Sequence, residues 1–252
     1  MSPVSASGLS VVIPVLNEEQ RLPPTLERIV AYLDRRPGGP NEVIVVDDGS
    51  VDQSSAVVRS FQRPAGPTSV VLVRVEANRG KGAAVRDGML RARGASAVMC
   101  DADLSTPIEE VERLEPRLAG GAHVAIGSRG IDARTVEVHQ PWLRERLGRV
   151  FNGFVRLATG LDVRDTQCGF KLFAASCVAP LFGPLFTTGF AFDVEVLMRA
   201  RRLGLRVDEI PVVWRDDPRT KVSAGSDGAR MVRDVMRIRA RLALERPAGP
   251  AA

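Results

Sequence analysis

The chain has 252 residues, 44% hydrophobic and 26% charged, with a formal net charge of +5, enough to bury one sizeable α/β core in a single domain. No stretch approaches the roughly 18 uninterrupted apolar residues that span a bilayer, and Met1 to Gly8 has neither the basic nor the apolar region of a signal peptide, so a cytoplasmic protein is expected. Three cysteines without a Cys-x-x-Cys spacing and two histidines give little to build a disulfide framework, a zinc cluster or a histidine-based triad, and the basic residues form no aromatic-interleaved stripe of the kind that binds nucleic acid.

Residues 1–8 read as a disordered lead-in. Leu9-Ser10-Val11-Val12-Ile13-Pro14-Val15 is then a β-branched run ended by Asn17-Glu18-Glu19, and Glu42 to Val46 runs into Asp47-Asp48-Gly49-Ser50-Val51-Asp52. Near-continuous apolar strands mark a parallel sheet covered on both faces, and Leu22, Leu26, Ile29, Val30 and Leu33 between them have helical spacing, so the chain opens with a βαβ unit. A third strand, Val70 to Val75, leads to Asn78-Arg79-Gly80-Lys81-Gly82 and a helix carrying Val85, Met89 and Leu90. The next apolar strand ends in Cys100-Asp101-Ala102-Asp103. Three acidic clusters therefore stand at the carboxyl ends of strands, where open α/β sheets gather ligands.

Two carboxylates one residue apart supply hard oxygen ligands suited to Mg²⁺ or Mn²⁺ carrying substrate phosphates, although short acidic pairs also serve turns and helix caps. Asn17 and Glu18, and Asp48 to Asp52, carry the same double reading. Gly80-Lys81-Gly82 at a helix start offers amides, a dipole and an ammonium to an anion. Further on, Arg129 follows an apolar strand, a Gly169-Phe170 turn precedes another strand with Cys168 read as core, and Trp214 closes an amphipathic strand. Two Arg-rich stretches, Arg144 to Arg156 and Arg230 to Arg246, have apolar residues at helical spacing. Either they cap the core or they rest at a membrane surface, where apolar burial and attraction to anionic headgroups add. Pro247 to Ala252 reads as a loose tail.

Four of these motifs, Val12 to Glu18, Val45 to Asp52, Asn78 to Gly82 and Asp101-Ala102-Asp103, resemble family 2 glycosyltransferases with the GT-A fold in both order and spacing. Gly127-Ser128-Arg129, Arg164 to Phe173, Phe190 to Glu195 and Trp214-Arg215 with Thr220-Lys221-Val222 narrow the resemblance to dolichyl-phosphate β-glucosyltransferases and, more distantly, dolichol-phosphate mannose synthases, over residues 8 to 240. It implies a Rossmann-like, mostly parallel twisted sheet flanked by helices over 9–222, a basic amphipathic C-terminal helix over 223–246 and a flexible tail over 247–252. It also implies an inverting transfer of a hexose, glucose from UDP-glucose being favoured, to a polyprenyl phosphate, with no nucleic-acid partner and peripheral contact with the inner face of the membrane.

Carried over residue by residue, the resemblance assigns the nucleotide-sugar to Pro14, Asn17, Glu18, Asp47, Asp48, Lys81, Asp101 and Gln167, and a Mg²⁺ or Mn²⁺ ion to Asp101 and Asp103. Ser105 stands where mannose synthases place a larger polar residue, which leaves a third protein ligand open. Asp165 is expected to face the sugar and Lys171 a phosphate. Arg129, Arg215 and Lys221 are expected to meet the acceptor phosphate, and Arg suits such a group through its bidentate fork. An ionised phosphate acceptor attacks without a base. A soluble, neutral small-molecule or carrier-bound acceptor would need one, and Asp193, with Glu195 next, is then the best placed. A sugar-nucleotide-binding protein without catalysis is the remaining reading, disfavoured by the presence of both metal carboxylates.

Overall fold

The computed structural model describes residues 8–63, 66–138, 142–217 and 226–245. In chain order the elements are β1 (Leu9–Val15), α1 (Leu22–Arg35), β2 (Asn41–Asp48), α2 (Ser54–Phe61), β3 (Thr68–Val75), α3 (Lys81–Met89), β4 (Ser96–Met99), α4 (Val111–Ala119), β5 (Val124–Ser128), β6 (Val136–Val138), α5 (Trp142–Thr159), β7 (Lys171–Ala174), α6 (Ala175–Phe182), α7 (Phe192–Arg202), β8 (Val207–Pro211), β9 (Trp214–Arg215) and α8 (Ser226–Leu244).

Seven strands form one sheet in the order β3-β2-β1-β4-β7-β5-β8, with β6 and β9 paired separately. All neighbours in the large sheet are parallel except β7, which runs antiparallel to both β4 and β5. The expected mixed, mostly parallel α/β fold is therefore present. Alternation along the strands sends side chains to two cores. Val11 and Ile13 of β1 pack with Leu22, Leu26 and Ile29 of α1 and Leu114 of α4. Val12 between them packs on the opposite face with Val85 and Met89 of α3 and Phe192 of α7. Helix α1 starts with prolines in its first turn, where a missing N–H costs nothing.

The chain leaves β1 toward β2 on one side and reaches β4 on the other, so the order reverses between β1 and β4 and a crevice opens beyond their carboxyl ends. Helices α5 and α8 pack on each other, and α8 also on α7. Together they stand over the far side of that crevice. Among the described residues no helix is long and apolar enough to cross a membrane.

Candidate active site

The crevice holds two adjoining cavities of about 620 and 430 Å³. Lys81, Asp101, Asp103, Phe190 and Met231 line both. The smaller lies over β1 and α3 and is bounded by Pro14, Glu18, Arg21, Asp48, Gly80 and Arg230. The larger has Arg129, Gln167, Asp193 and Trp214 at its polar end and Leu147, Val150, Phe151, Phe154 and Val232 of α5 and α8 along its apolar wall.

Loop chemistry after β1 and β2 explains the small cavity. Asn17 adopts a left-handed conformation (φ 56°) that Asn tolerates better than most side chains. Its amide donates to Ser50 Oγ at 2.9 Å and its Oδ1 accepts the Val51 N–H at 2.9 Å. Glu18 donates its N–H to Ser54 Oγ at 2.7 Å, and its carboxylate grips Arg21 at 2.6 and 2.7 Å. Asp47 is fully buried, accepting from Ser50 N–H at 2.8 Å and from the Ser55 hydroxyl. Asp48 accepts the N–H groups of Arg79 and Gly80 at 3.0 and 2.7 Å. Of the residues expected at the nucleotide, Pro14, Glu18, Asp48, Lys81 and Asp101 line the small cavity and Gln167 the large one, whereas Asn17 and Asp47 line neither and instead fasten the turns beneath.

The start of α3 also departs from expectation. Arg79 and Gly80 amides are engaged by Asp48, and those of Gly82 and Ala83 donate to the Thr188 carbonyl at 2.7 and 3.4 Å. Gly80 (φ 103°) is needed for that approach, since a Cβ there would lie 2.4 Å from the Thr188 oxygen. These amides are not offered to an anion; the Lys81 ammonium is. Its Nζ stands 2.6 Å from Asp101 Oδ1. Burial works against that ammonium, but the Asp101 and Asp193 carboxylates outweigh it and hold its pKa above the ordinary value.

Asp101 and Asp103 follow β4 as expected. Gly169 lets Asp101 sit where it does: a Cβ on that glycine would lie 2.0 Å from Asp101 Oδ2. Asp103 Oδ1 accepts the Ser105 N–H at 2.9 Å across Leu104, whose φ of 46° is unusual for a side chain without a polar group. Burial, and then repulsion from Asp101, raise the Asp103 pKa. Among the described residues no three His, Cys, Asp or Glu side chains gather as a metal cluster. Two carboxylates beside an open cavity nevertheless fit Mg²⁺ or Mn²⁺, which commonly take one or two carboxylates and complete their shell with substrate phosphates and water.

At the polar end of the large cavity, Arg129 is clamped by Asp165 through Nε at 2.7 Å, Nη2 at 2.8 Å and its own amide at 3.0 Å, and its guanidinium lies 5.4 Å from the Trp214 ring centre. Burial alone would raise the Asp165 pKa; the charge and hydrogen bonds of Arg129 outweigh it and bring it down to about 2. Asp165 thus orients Arg129 rather than facing the cavity. Lys171, expected near a phosphate, is buried, donating to Asp193 Oδ1 at 2.5 Å and to the Cys168 carbonyl at 2.6 Å. Asp193 lines the large cavity above it. Glu195, considered as a base, is fully buried and accepts from the Phe186 and Thr187 amides and from Arg199.

Arg215 does not reach the cavity. It is half exposed and pairs with Glu137 at 2.5 Å, because neighbouring residues of a strand face opposite ways and Trp214 takes the inward side of β9. Its backbone N–H does hold the acidic loop, donating to the Ser105 carbonyl at 2.8 Å. Lys221, with Thr220 and Val222, lies outside the described residues. Cys168 is core as expected, its thiol pushed up to about 11 by burial first and then by Asp165.

Several lining residues escaped sequence reasoning. Arg21, 8% exposed, has Nη1 3.9 Å from both Asp103 and Asp217. Met231, Arg230 and Asp234 come from α8, whose Arg-rich pattern fits a helix capping the core or one resting at a membrane surface and names no cavity lining. The signal available for them was the apolar spacing along 230–246, which marks a packed face without saying that its first turns border a ligand cavity.

A model described as glycosyl transferase family 2 matches residues 10–179. The dolichyl-phosphate beta-glucosyltransferase of Drosophila melanogaster is 38% identical over 240 residues, covering 91% of this chain and 74% of that protein. The Homo sapiens protein of the same description is 36% identical over 243 residues, covering 92% and 75%. Among solved structures, glucosyl-3-phosphoglycerate synthase from Mycobacterium tuberculosis with uridine diphosphate superposes with a TM-score of 0.67 at 20% identity, over 95% of this chain and 82% of that one. The same enzyme with Mn²⁺, UDP-glucose and phosphoglyceric acid gives 0.65 at 21% identity, over 95% and 81%.

Proposed function

From the premise that this chain belongs to glycosyl transferase family 2 and is a glycosyltransferase, we propose that it moves glucose from UDP-glucose to a polyprenyl phosphate with inversion. The observation that carries this reading is the shape of the large cavity. Its floor bears Lys81, Asp101, Asp103 and Arg129, and its wall is the apolar face of α5 and α8, so one space accommodates a phosphate at one end and a hydrocarbon chain at the other. Relatives named dolichyl-phosphate beta-glucosyltransferase support the acceptor class.

In this reading the nucleoside end of the donor lies in the small cavity against Pro14, Glu18 and Asp48, and the sugar projects past Lys81 toward Gln167 and Asp193. A divalent cation held by Asp101 and Asp103 would supply the charge that neutralises the departing diphosphate. Arg129, fixed by Asp165 and stacked on Trp214, receives the acceptor phosphate with its remaining N–H groups. A phosphate oxygen already carries its negative charge at neutral pH, so it attacks the anomeric carbon in line as the nucleotide leaves from the other face. No general base is required.

A neutral acceptor deprotonated by Asp193 fits less well: burial raises the pKa of that carboxylate despite the Lys171 and Lys81 ammoniums, but one of its oxygens is already committed to the Lys171 ammonium at 2.5 Å. The reaction is set at the cytoplasmic face of a membrane, with the protein bound peripherally through α5 and α8. Mass spectrometry of reactions containing UDP-glucose, a short polyprenyl phosphate and Mn²⁺ tests the reading. Glycolipid that disappears with chelator and in Asp103→Ala supports it. Failure to form glycolipid by a folded protein that binds UDP and Mn²⁺ overturns the lipid acceptor.

A further inference from the structure

Two internal cations accompany the Asp101/Asp103 pair, and they are held in different ways. Arg21 is fixed: Nε and Nη2 are committed to Glu18 at 2.6 and 2.7 Å, and only Nη1 is turned toward Asp103, 3.9 Å away. Its planar fork has one workable geometry there. Lys81 is a point charge on a flexible stem, joined to Asp101 through a single 2.6 Å contact. Among the described residues it is the one basic side chain that lines both cavities. The backbone around it gives an anion little help, because the amides of Arg79, Gly80 and Gly82 are already engaged by Asp48 and Thr188. At that corner, positive charge for a diphosphate comes from the Lys81 side chain.

We propose that Lys81 competes with the divalent cation for Asp101, holding the carboxylate in the free protein and passing to the diphosphate when donor and cation enter together. An ammonium on Oδ1 takes up one of the two oxygens that the carboxylate could offer a cation, and two positive charges on one carboxylate repel. A diphosphate entering the cavity that Lys81 already lines would offer its ammonium another anionic partner. Cation and donor therefore bind with positive coupling, and by linkage each tightens the other by the same factor. Lys81 then keeps the cation from settling before the nucleotide arrives and afterwards binds the diphosphate itself. The inference rests on Asp101 and Asp103 being the cation holders of the proposed transferase.

Calorimetric titration of Mn²⁺ into the full chain, with and without saturating UDP, tests it on wild type, Lys81→Met and Lys81→Gln, with thermal unfolding as the check on folding. Wild type is expected to bind Mn²⁺ at least about tenfold more tightly with UDP than alone. Both variants are expected to bind Mn²⁺ alone at least about tenfold more tightly than wild type does, and to show a smaller effect of UDP. Equal or weaker Mn²⁺ binding by the variants, with the UDP effect intact, overturns the competition and leaves direct ligation of the cation by the diphosphate as the whole of the coupling. Absence of Mn²⁺ binding in every protein, with UDP and without, removes the cation site itself, a distinct result that fails the underlying reading as well.

Discussion

Gly169 and Asp165 each act through a functional side chain that they touch. A Cβ at position 169 would meet the end of the Asp101 side chain at 2.0 Å, an atom that can swing aside cheaply, but only by losing its place in the crevice. Gly169→Ala is therefore expected to lower turnover by at least about tenfold, since displacing a reacting constellation by about 1 Å can cost two orders of magnitude, while the melting temperature moves by a few degrees at most. Steady-state rates beside thermal unfolding check this, and a variant with full activity would refute the link. Asp165 makes its contribution through charge. Its folded pKa of about 2 lies below the unfolded value of about 3.9, so the ionised carboxylate stabilises the fold above about pH 4, and that stability is lost as pH falls through about 2. The amount is on the order of 2 kcal/mol. Urea unfolding between pH 6 and pH 3 should show a shallower decline for Asp165→Asn than for wild type, and Arg129, left without its anion, should lose acceptor affinity in the same variant.

Helix α8 divides its work along its length. Val235, Ile238 and Leu242 are buried in the core shared with α7, whereas Arg230 and Met231, one to two turns earlier, line the cavities. Ile238→Ala should cost about 2–5 kcal/mol of stability, the range for removing buried methylenes. Met231→Ala removes a flexible filler beside an open cavity and should mainly raise the apparent KM for the lipid acceptor, with a smaller loss of stability; denaturant unfolding and acceptor titration separate the two effects. The same helix marks where the sequence stops being informative. Strands β1, β2 and β4 were legible because their apolar runs are continuous and end in acids, a local pattern that fixes both burial and ligand side. The Asp101/Asp103 pair was legible for the same reason. Arg21, Met231 and Asp217 reach the crevice only through tertiary packing of elements far apart in sequence, and no local spacing encodes that. The resemblance sets Arg215 at the acceptor phosphate, whereas in β9 Trp214 takes the inward side and Arg215 pairs with Glu137 beside β6. Asp47 misled because it lies beside Asp48 in sequence yet points into the turn that Ser50 and Ser55 close.

At the scale of the molecule, the apolar wall of the large cavity continues onto the outer surface. Val150 on α5 lines the cavity while remaining 70% exposed, and Trp142 and Leu157 on the same helix are 68% and 87% exposed. On α8, Met236 and Leu244 add further exposed apolar surface, and Arg146, Arg149 and Arg233 stand among them. In the proposed reaction, a polyprenyl chain with its phosphate at Arg129 would leave the protein along this wall, and a lipid surface placed against α5 and α8 would let it enter without its hydrocarbon crossing water. Each arginine near an anionic surface contributes about 1 kcal/mol, falling off within a Debye length, and each inserted apolar side chain adds to it. Sedimentation with phosphatidylglycerol vesicles should therefore pull the protein down at low salt and release it as ionic strength rises, with little binding to neutral phosphatidylcholine. Leu157→Glu and Trp142→Ala lie outside the cavity lining, so each should weaken vesicle binding by about tenfold or more and slow transfer to a long-chain acceptor held in vesicles. Transfer to a short, detergent-dispersed polyprenyl phosphate should be unaffected, because that acceptor reaches Arg129 without a membrane. Equal losses with both acceptors would mean that the outer face of α5 shapes the cavity and not the approach of the lipid.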